Sequence, residues 1–181
     1  MVELIDEEHR ERDKLQYLSE IDRLTGINNR GSGEAKICQL LESGNGGMLI
    51  LLDADHFKSI NDNSGHGVGD KVIVSIAHAL KKTFRENDVV LRLGGDEFAA
   101  FAPGISSPVN GRSIVDDLIK CVTEIEIPEM KGRKIEISVG VAFYQMYDTF
   151  PFEELYKRAD RCTYLSKKHL GSYATYHYSL V

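Results

Sequence analysis

The 181-residue chain lacks any apolar run approaching the roughly 20 residues that a membrane-spanning helix needs. No basic-then-apolar leader is visible either, so membrane insertion is not expected and a cytoplasmic setting is. Positive charge is in short supply. Lys and Arg total 22 against 28 Asp and Glu, a net charge of −6. That balance argues against a broad nucleic-acid-binding face, which needs clustered basic residues. Cysteine is scarce too. Cys38, Cys121 and Cys162 are odd in number and widely spaced, which excludes a disulfide framework or a zinc-ligand set. No internal repeat or low-complexity tract is present. What remains is an ordinary globular composition, 42% hydrophobic and 28% charged, in a chain long enough for one well-buried domain.

Periodicity divides the chain. Residues 3–20 are densely charged with a thin apolar stripe (Leu4, Ile5, Leu15, Leu18), which reads as an exposed helix too sparse to fold alone. Residues 1–20 are therefore expected to form a linker helix and 21–181 the domain proper. Within the domain a helix is expected over about 32–41, then a strand from Met48 to Ala54. A helical stretch with Phe57 and Ile60 follows, then a loop of turn formers from Asn61 to Gly69. A longer helix is expected over about 70–84, hairpin strands over 89–93 and 97–102, and a helix capped by Ser106 or Ser107 running to about 121. A strand over 135–144, a helix from Pro151 to about 169 and an edge strand near 173–178 complete the series. Alternating strands and helices predict an α/β sandwich with a mixed central sheet.

The chain is organised around Arg92-Leu93-Gly94-Gly95-Asp96-Glu97-Phe98. Two glycines between apolar runs read as a tight hairpin turn, with two adjacent carboxylates at its exit. Glycine there lets a ligand approach the backbone without meeting a β-carbon. Upstream, the apolar run 49–52 ends in Asp53-Ala54-Asp55, and Lys58, Asn61, His66 and Gly69-Asp70 follow. Asp55 is expected to face away from Asp53 in a structural role. Asp22-Arg23-Leu24-Thr25-Gly26, with Asn29-Arg30, precedes them all. In this order the motifs closely resemble the GGDEF-domain diguanylate cyclases, from roughly residue 20 to the C-terminus.

The resemblance implies an α+β, palm-like nucleotidyl-cyclase fold with five strands in a mixed central sheet. It implies that Asp53, the main-chain carbonyl of Ala54 and Asp96 ligate magnesium, two ions per active site, with manganese able to substitute. Asp96 is then the base for an attacking 3′-hydroxyl, Glu97 its neighbouring acid, and Lys58 a stabiliser of phosphate charge. Asn61 and Asp70 match guanine-contacting positions, His66 a further substrate contact and Lys167 a phosphate contact. The residue chemistry agrees. Magnesium takes hard oxygen ligands, often one or two carboxylates plus phosphates. A carboxylate accepts from both guanine donors, and an amide both donates and accepts. Each domain would bind one GTP, and two domains facing each other would form cyclic di-GMP and two pyrophosphates. Activity then requires a homodimer, and a linker helix below an upstream sensor domain can switch it.

Arg85-Glu86-Asn87-Asp88 matches the spacing of the family's RxxD motif, which binds the product as an inhibitor. Arg112 is the nearest candidate for a second arginine and matches poorly. The stretch Lys168-His169-Leu170-Gly171-Ser172 lacks the usual glycine–basic–asparagine ending, and Gly31-Ser32-Gly33 replaces bulkier residues. The alternative is a catalytically weak or inactive domain, either a cyclic di-GMP receptor through Arg85 and Asp88 or a dimerisation module. Intact Asp53, Asn61, Asp70, Asp96 and Glu97 favour the enzyme, because a receptor has no need of them. Use of ATP beside GTP is a further possibility.

Overall fold

The computed structural model describes residues 19–177. The linker helix expected over residues 1–20 lies outside them except for Ser19 and Glu20, which are helical. The elements run β1 (Asn28–Asn29), α1 (Arg30–Glu42), β2 (Gly47–Ala54), α2 (Phe57–Ser64) and α3 (His66–Thr83). They continue β3 (Val89–Gly94), β4 (Glu97–Pro103), α4 (Pro108–Thr123), a 3-10 turn (Pro128–Met130), β5 (Ile137–Tyr144), α5 (Phe152–Ser166) and β6 (Tyr173–Tyr176).

The sheet has six strands in the order β1-β3-β4-β2-β5-β6, one more than expected. The addition is the two-residue β1, read from the sequence as loop, which pairs parallel to β3 at Leu91 and Arg92. Two residues leave no alternation to detect. β2 lies between antiparallel β4 and β5, and β6 closes the other edge parallel to β5. All eight residues of β2 and of β5 are buried, as expected of strands covered on both faces.

Two apolar layers cover the sheet. Met48, Ile50, Leu52 and Ala54 join α3 and α4 in one cluster. Leu49 and Leu51 join Ile37 of α1 and Leu155 of α5 in the other. Alternation along β2 therefore sends the Asp53 side chain to the α1/α5 layer. Two glycines set how close those helices come. A β-carbon on Gly33 would overlap the Leu91 side chain, and one on Gly140 would overlap the Ala159 carbonyl and Thr163 amide. The latter contact seats α5 directly on β5, and Ser166 Oγ adds a 2.7 Å bond to the Val139 carbonyl.

The expected loop from Asn61 to Gly69 is instead helix on both sides of a single residue. Gly65, at φ 88°, ends α2 and starts α3 by itself. One positive-φ glycine reverses the chain in the space that a run of turn formers suggested. Asn63 stays helical, with its amide donating to the Ser59 carbonyl at 2.7 Å.

Candidate active site

The hairpin between β3 and β4 turns on Gly94 (φ 151°) and Gly95 (φ 53°), conformations that side chains rarely adopt. The register places Glu97 opposite Asp53, and the Ala54 amide donates to the Asp96 carbonyl at 3.2 Å. The hairpin tip is thereby tied to the end of β2, beside Asp53. Arg92 braces it from below. Its guanidinium donates to the Gly95 carbonyl at 2.7 and 3.1 Å and to the Asp22 carboxylate at 3.2 and 3.3 Å. Asp22 also accepts from the Thr25 amide and hydroxyl. Burial pushes the Asp22 carboxyl up, but the Thr25 and Arg92 bonds outweigh it and hold the carboxyl below its usual range.

Asp53 is buried, and Lys167 Nζ donates to its Oδ2 at 2.8 Å. Desolvation works to lower the Lys167 ammonium's pKa. The bond to Asp53 and the charges of Asp53, Asp96 and Glu97 outweigh it and raise that pKa. Asp96 shifts up, first by desolvation and then by the charge of Asp53. Two carboxylates short of positive charge at a strand end suit a hard divalent cation. Among the described residues no group of three or more His, Cys, Asp or Glu side chains forms a ready-made cage. A magnesium or manganese ion here would rest on Asp53, Asp96 and the Ala54 carbonyl and take its remaining ligands from phosphates and water.

Asp55 is a correction. It lines one cavity with Asp53, His56 and Glu136 rather than facing away. Residues i and i+2 of an extended chain share a face, so the expected opposition was a misreading of the alternation. Asp55 accepts from Ser138 Oγ at 2.8 Å, and burial, with the Asp53 charge behind it, raises its carboxyl above the usual range.

The remaining expected residues sit on α2 and α3. Lys58 is exposed on the first turn of α2, and His66 and Asp70 are exposed on the first turns of α3. Asn61 presses against Gly69, where a β-carbon would overlap its Oδ1. That oxygen is buried without a hydrogen-bond partner. An orphaned buried acceptor costs about 1–3 kcal/mol, so it marks a place where a donor from outside the chain is welcome. Asn61→Ala is expected to raise the Tm of the ligand-free domain and, in the role that the motif resemblance implies, to weaken GTP binding about tenfold. Thermal melting and calorimetric titration read the two effects separately, and a joint loss of both would make Asn61 purely structural.

Arg85 and Asp88 form a closed turn. Asp88 Oδ2 accepts from the Arg85 amide at 2.8 Å, and the Arg85 carbonyl accepts from the Asp88 amide at 3.0 Å. Both residues line a cavity with Lys81, Gly26 and Asn28. Arg112 is held elsewhere, over the Tyr176 ring on the edge strand β6, with three strands between it and β3.

Known proteins resemble this chain in sequence and in overall structure. Residues 19–172 match the family model described as diguanylate cyclase, GGDEF domain. The chain belongs to the GGDEF diguanylate cyclase family. This GGDEF domain is 34% identical to the probable diguanylate cyclase DgcC of Escherichia coli over 89% of the chain and 43% of that protein. It is 31% identical to the diguanylate cyclase TpbB of Pseudomonas aeruginosa over 87% of the chain and 37% of that protein. It thus spans well under half the length of either relative. The structure also resembles the GGDEF domain of DgcB from Caulobacter crescentus in complex with c-di-GMP, at 25% identity and a TM-score of 0.76, covering 87% of this chain and 95% of that one.

Three features of the GGDEF site were not anticipated: the Arg92–Asp22 brace, the Asp53–Lys167 pair, and a cavity in which Tyr156, Asp160 and Tyr164 of α5 face Asp53, Glu97 and Lys167. The spacing of four between 156, 160 and 164 was a readable signal, since it places them on one helical stripe. The long-range pairs had none.

Proposed function

We propose that this GGDEF domain condenses two GTP molecules into cyclic di-GMP and two pyrophosphates across a homodimer. The observation that carries the reading is the meeting of Asp53 and Asp96 at one strand end, with Asp96 raised by desolvation and by the charge of Asp53. In each half-reaction a 3′-hydroxyl oxygen bonds to the α-phosphorus of the GTP on the facing domain. The bond from that phosphorus to the β-phosphate bridging oxygen breaks, and pyrophosphate leaves with its electron pair. Asp96 takes the hydroxyl proton. Glu97 adds negative charge beside it. Asn61 Oδ1 and the Asp70 carboxylate accept from the guanine N1–H and amino group, and His66 adds a further substrate contact. Lys58 and Lys167 bind phosphate oxygens, Lys167 exchanging its bond to Asp53 for one to the triphosphate. Two magnesium or manganese ions per site, when bound at Asp53, Ala54 and Asp96, supply positive charge to the triphosphate and leaving group.

One domain holds one GTP face, so turnover needs two copies. The greater length of the relatives is compatible with the expected upstream sensor domain, with residues 1–20 setting whether two copies meet. No described helix is long and apolar enough to cross a membrane. The test of the chemistry is pyrophosphate release from GTP with magnesium and with a chelator. Release that needs the metal supports the cyclase, and metal-independent release or none contradicts it.

Arg85 and Asp88 serve as the product site in this reading. The Asp88 carboxylate shapes the turn, and the exposed Arg85 guanidinium meets a phosphate or guanine edge. Arg85→Ala is expected to weaken inhibition by added cyclic di-GMP about tenfold without lowering the uninhibited rate. An unchanged inhibition curve would place the product elsewhere.

A further inference from the structure

Another stripe of α5 carries cations that none of these roles uses. Lys157, Arg158 and Arg161 line an open cavity of about 370 Å³ with Glu154 and His177. With 3.6 residues per turn, this stripe lies roughly a third of a turn around α5 from Tyr156, Asp160 and Lys167. Among the described residues Glu154 is the one acid lining the cavity, and it is already paired with Arg158 at 2.9 Å. The Arg158 guanidinium also lies over the Phe150 ring, 4.1 Å from its centroid. Its plane is therefore held by an aromatic face and a carboxylate. Lys157 and Arg161 are exposed, four apart on the helix, and neither forms a close ion pair among the described residues, although the Lys157 charge is felt by Glu154.

Like charges at that spacing repel, so the pair opposes folding unless an anion offsets it. The field is felt by the half-buried imidazole next to it. Burial first, then Arg158, holds His177 below its usual value, with Glu154 opposing and Arg161 adding to the shift. In a chain of net charge −6, three cations against one neutralised acid is a local concentration that overall composition does not produce.

We propose that this cavity is a second ligand site, which takes a phosphate-bearing anion held by Lys157, Arg158 and Arg161. A guanidinium presents a planar fork that matches two phosphate oxygens, and an ammonium adds a point charge that tolerates several orientations. His177 closes the cavity with a ring that can donate one N–H. The site stands apart from Asp53 and Asp96 and does not depend on the cyclase reading.

The test titrates the full chain with inorganic pyrophosphate in the absence of divalent metal, following the His177 ring by nitrogen-15 NMR. A saturable His177 shift is expected, and Lys157→Ala/Arg161→Ala is expected to weaken it about tenfold or more. Both side chains are exposed and their mutual repulsion is small, so the double variant should keep or slightly raise its Tm and keep its GTP turnover. A second arm sediments the chain with phosphatidylglycerol vesicles. Sedimentation that the double variant loses, with no His177 response to pyrophosphate, assigns the phosphate to a lipid headgroup. A site that answers neither probe, or that answers both equally in the native chain and the double variant, overturns the proposal.

Discussion

Asp96→Asn is expected to abolish GTP turnover while leaving the domain folded and slightly more stable. The loss should reach about a thousandfold, near 4 kcal/mol of transition-state stabilisation, because in the proposed mechanism one substitution removes a proton acceptor and a metal ligand together. The gain in stability follows from the shift. Asp96 has a folded-state pKa above its unfolded value. Its contribution to stability is therefore fully present below the unfolded pKa and lost as pH rises through the folded one. At pH 7 the ionised group is a burden, which the amide relieves. The side chain is only partly buried, so solvent screening limits the gain to about 2 °C in Tm. Melting the native chain and the variant at pH 7 and again near pH 3 should show the difference at the first and not the second. Asp53→Ala should lose turnover to the same degree. It strands Lys167, whose side chain is 44% exposed and regains water instead of being left buried without a partner. Retained turnover in either variant would remove the carboxylates from the chemistry.

Gly140→Val is expected to lower the Tm by about 10 °C, from roughly 3 kcal/mol of overpacking. The clash is with backbone, the Ala159 carbonyl and the Thr163 amide, so no side-chain rotation relieves it. α5 must lift off β5, and Lys167, the residue capping its C-terminal end, moves with it. Loss of turnover should therefore exceed what the folded fraction explains. Thermal melting with activity normalised to folded protein checks both. A native Tm would show that α5 does not rest on this glycine.

Most of the fold could be read from local signals. A continuous apolar run marked β2 and alternation marked β5, and Pro151 and Ser107 marked helix starts that the structure keeps within a residue. The hairpin was legible because Gly94 and Gly95 leave few other conformations. Gly65 misled, since its neighbours Asn61, Asn63 and Ser64 form turns in isolation, and only packing of α2 against α3 keeps them helical. β1 was invisible because a two-residue strand exists only through its partner β3. The site divides in the same way. Asp53, Asp96, Asn61 and Asp70 announced themselves by motif, and the orphaned Asn61 oxygen is what chemistry adds to that motif. Asp22–Arg92 and Asp53–Lys167 join residues 70 and 114 positions apart, and no local pattern encodes such a meeting.

The most direct measurement is product analysis after incubation with GTP and magnesium across a range of protein concentrations. Cyclic di-GMP formed at a specific rate that rises with concentration and then levels off is the predicted result, because the proposed mechanism needs two facing copies. A linear intermediate alone, a rate per molecule independent of concentration from the lowest dilution, or no product at concentrations where the chain is dimeric would contradict it.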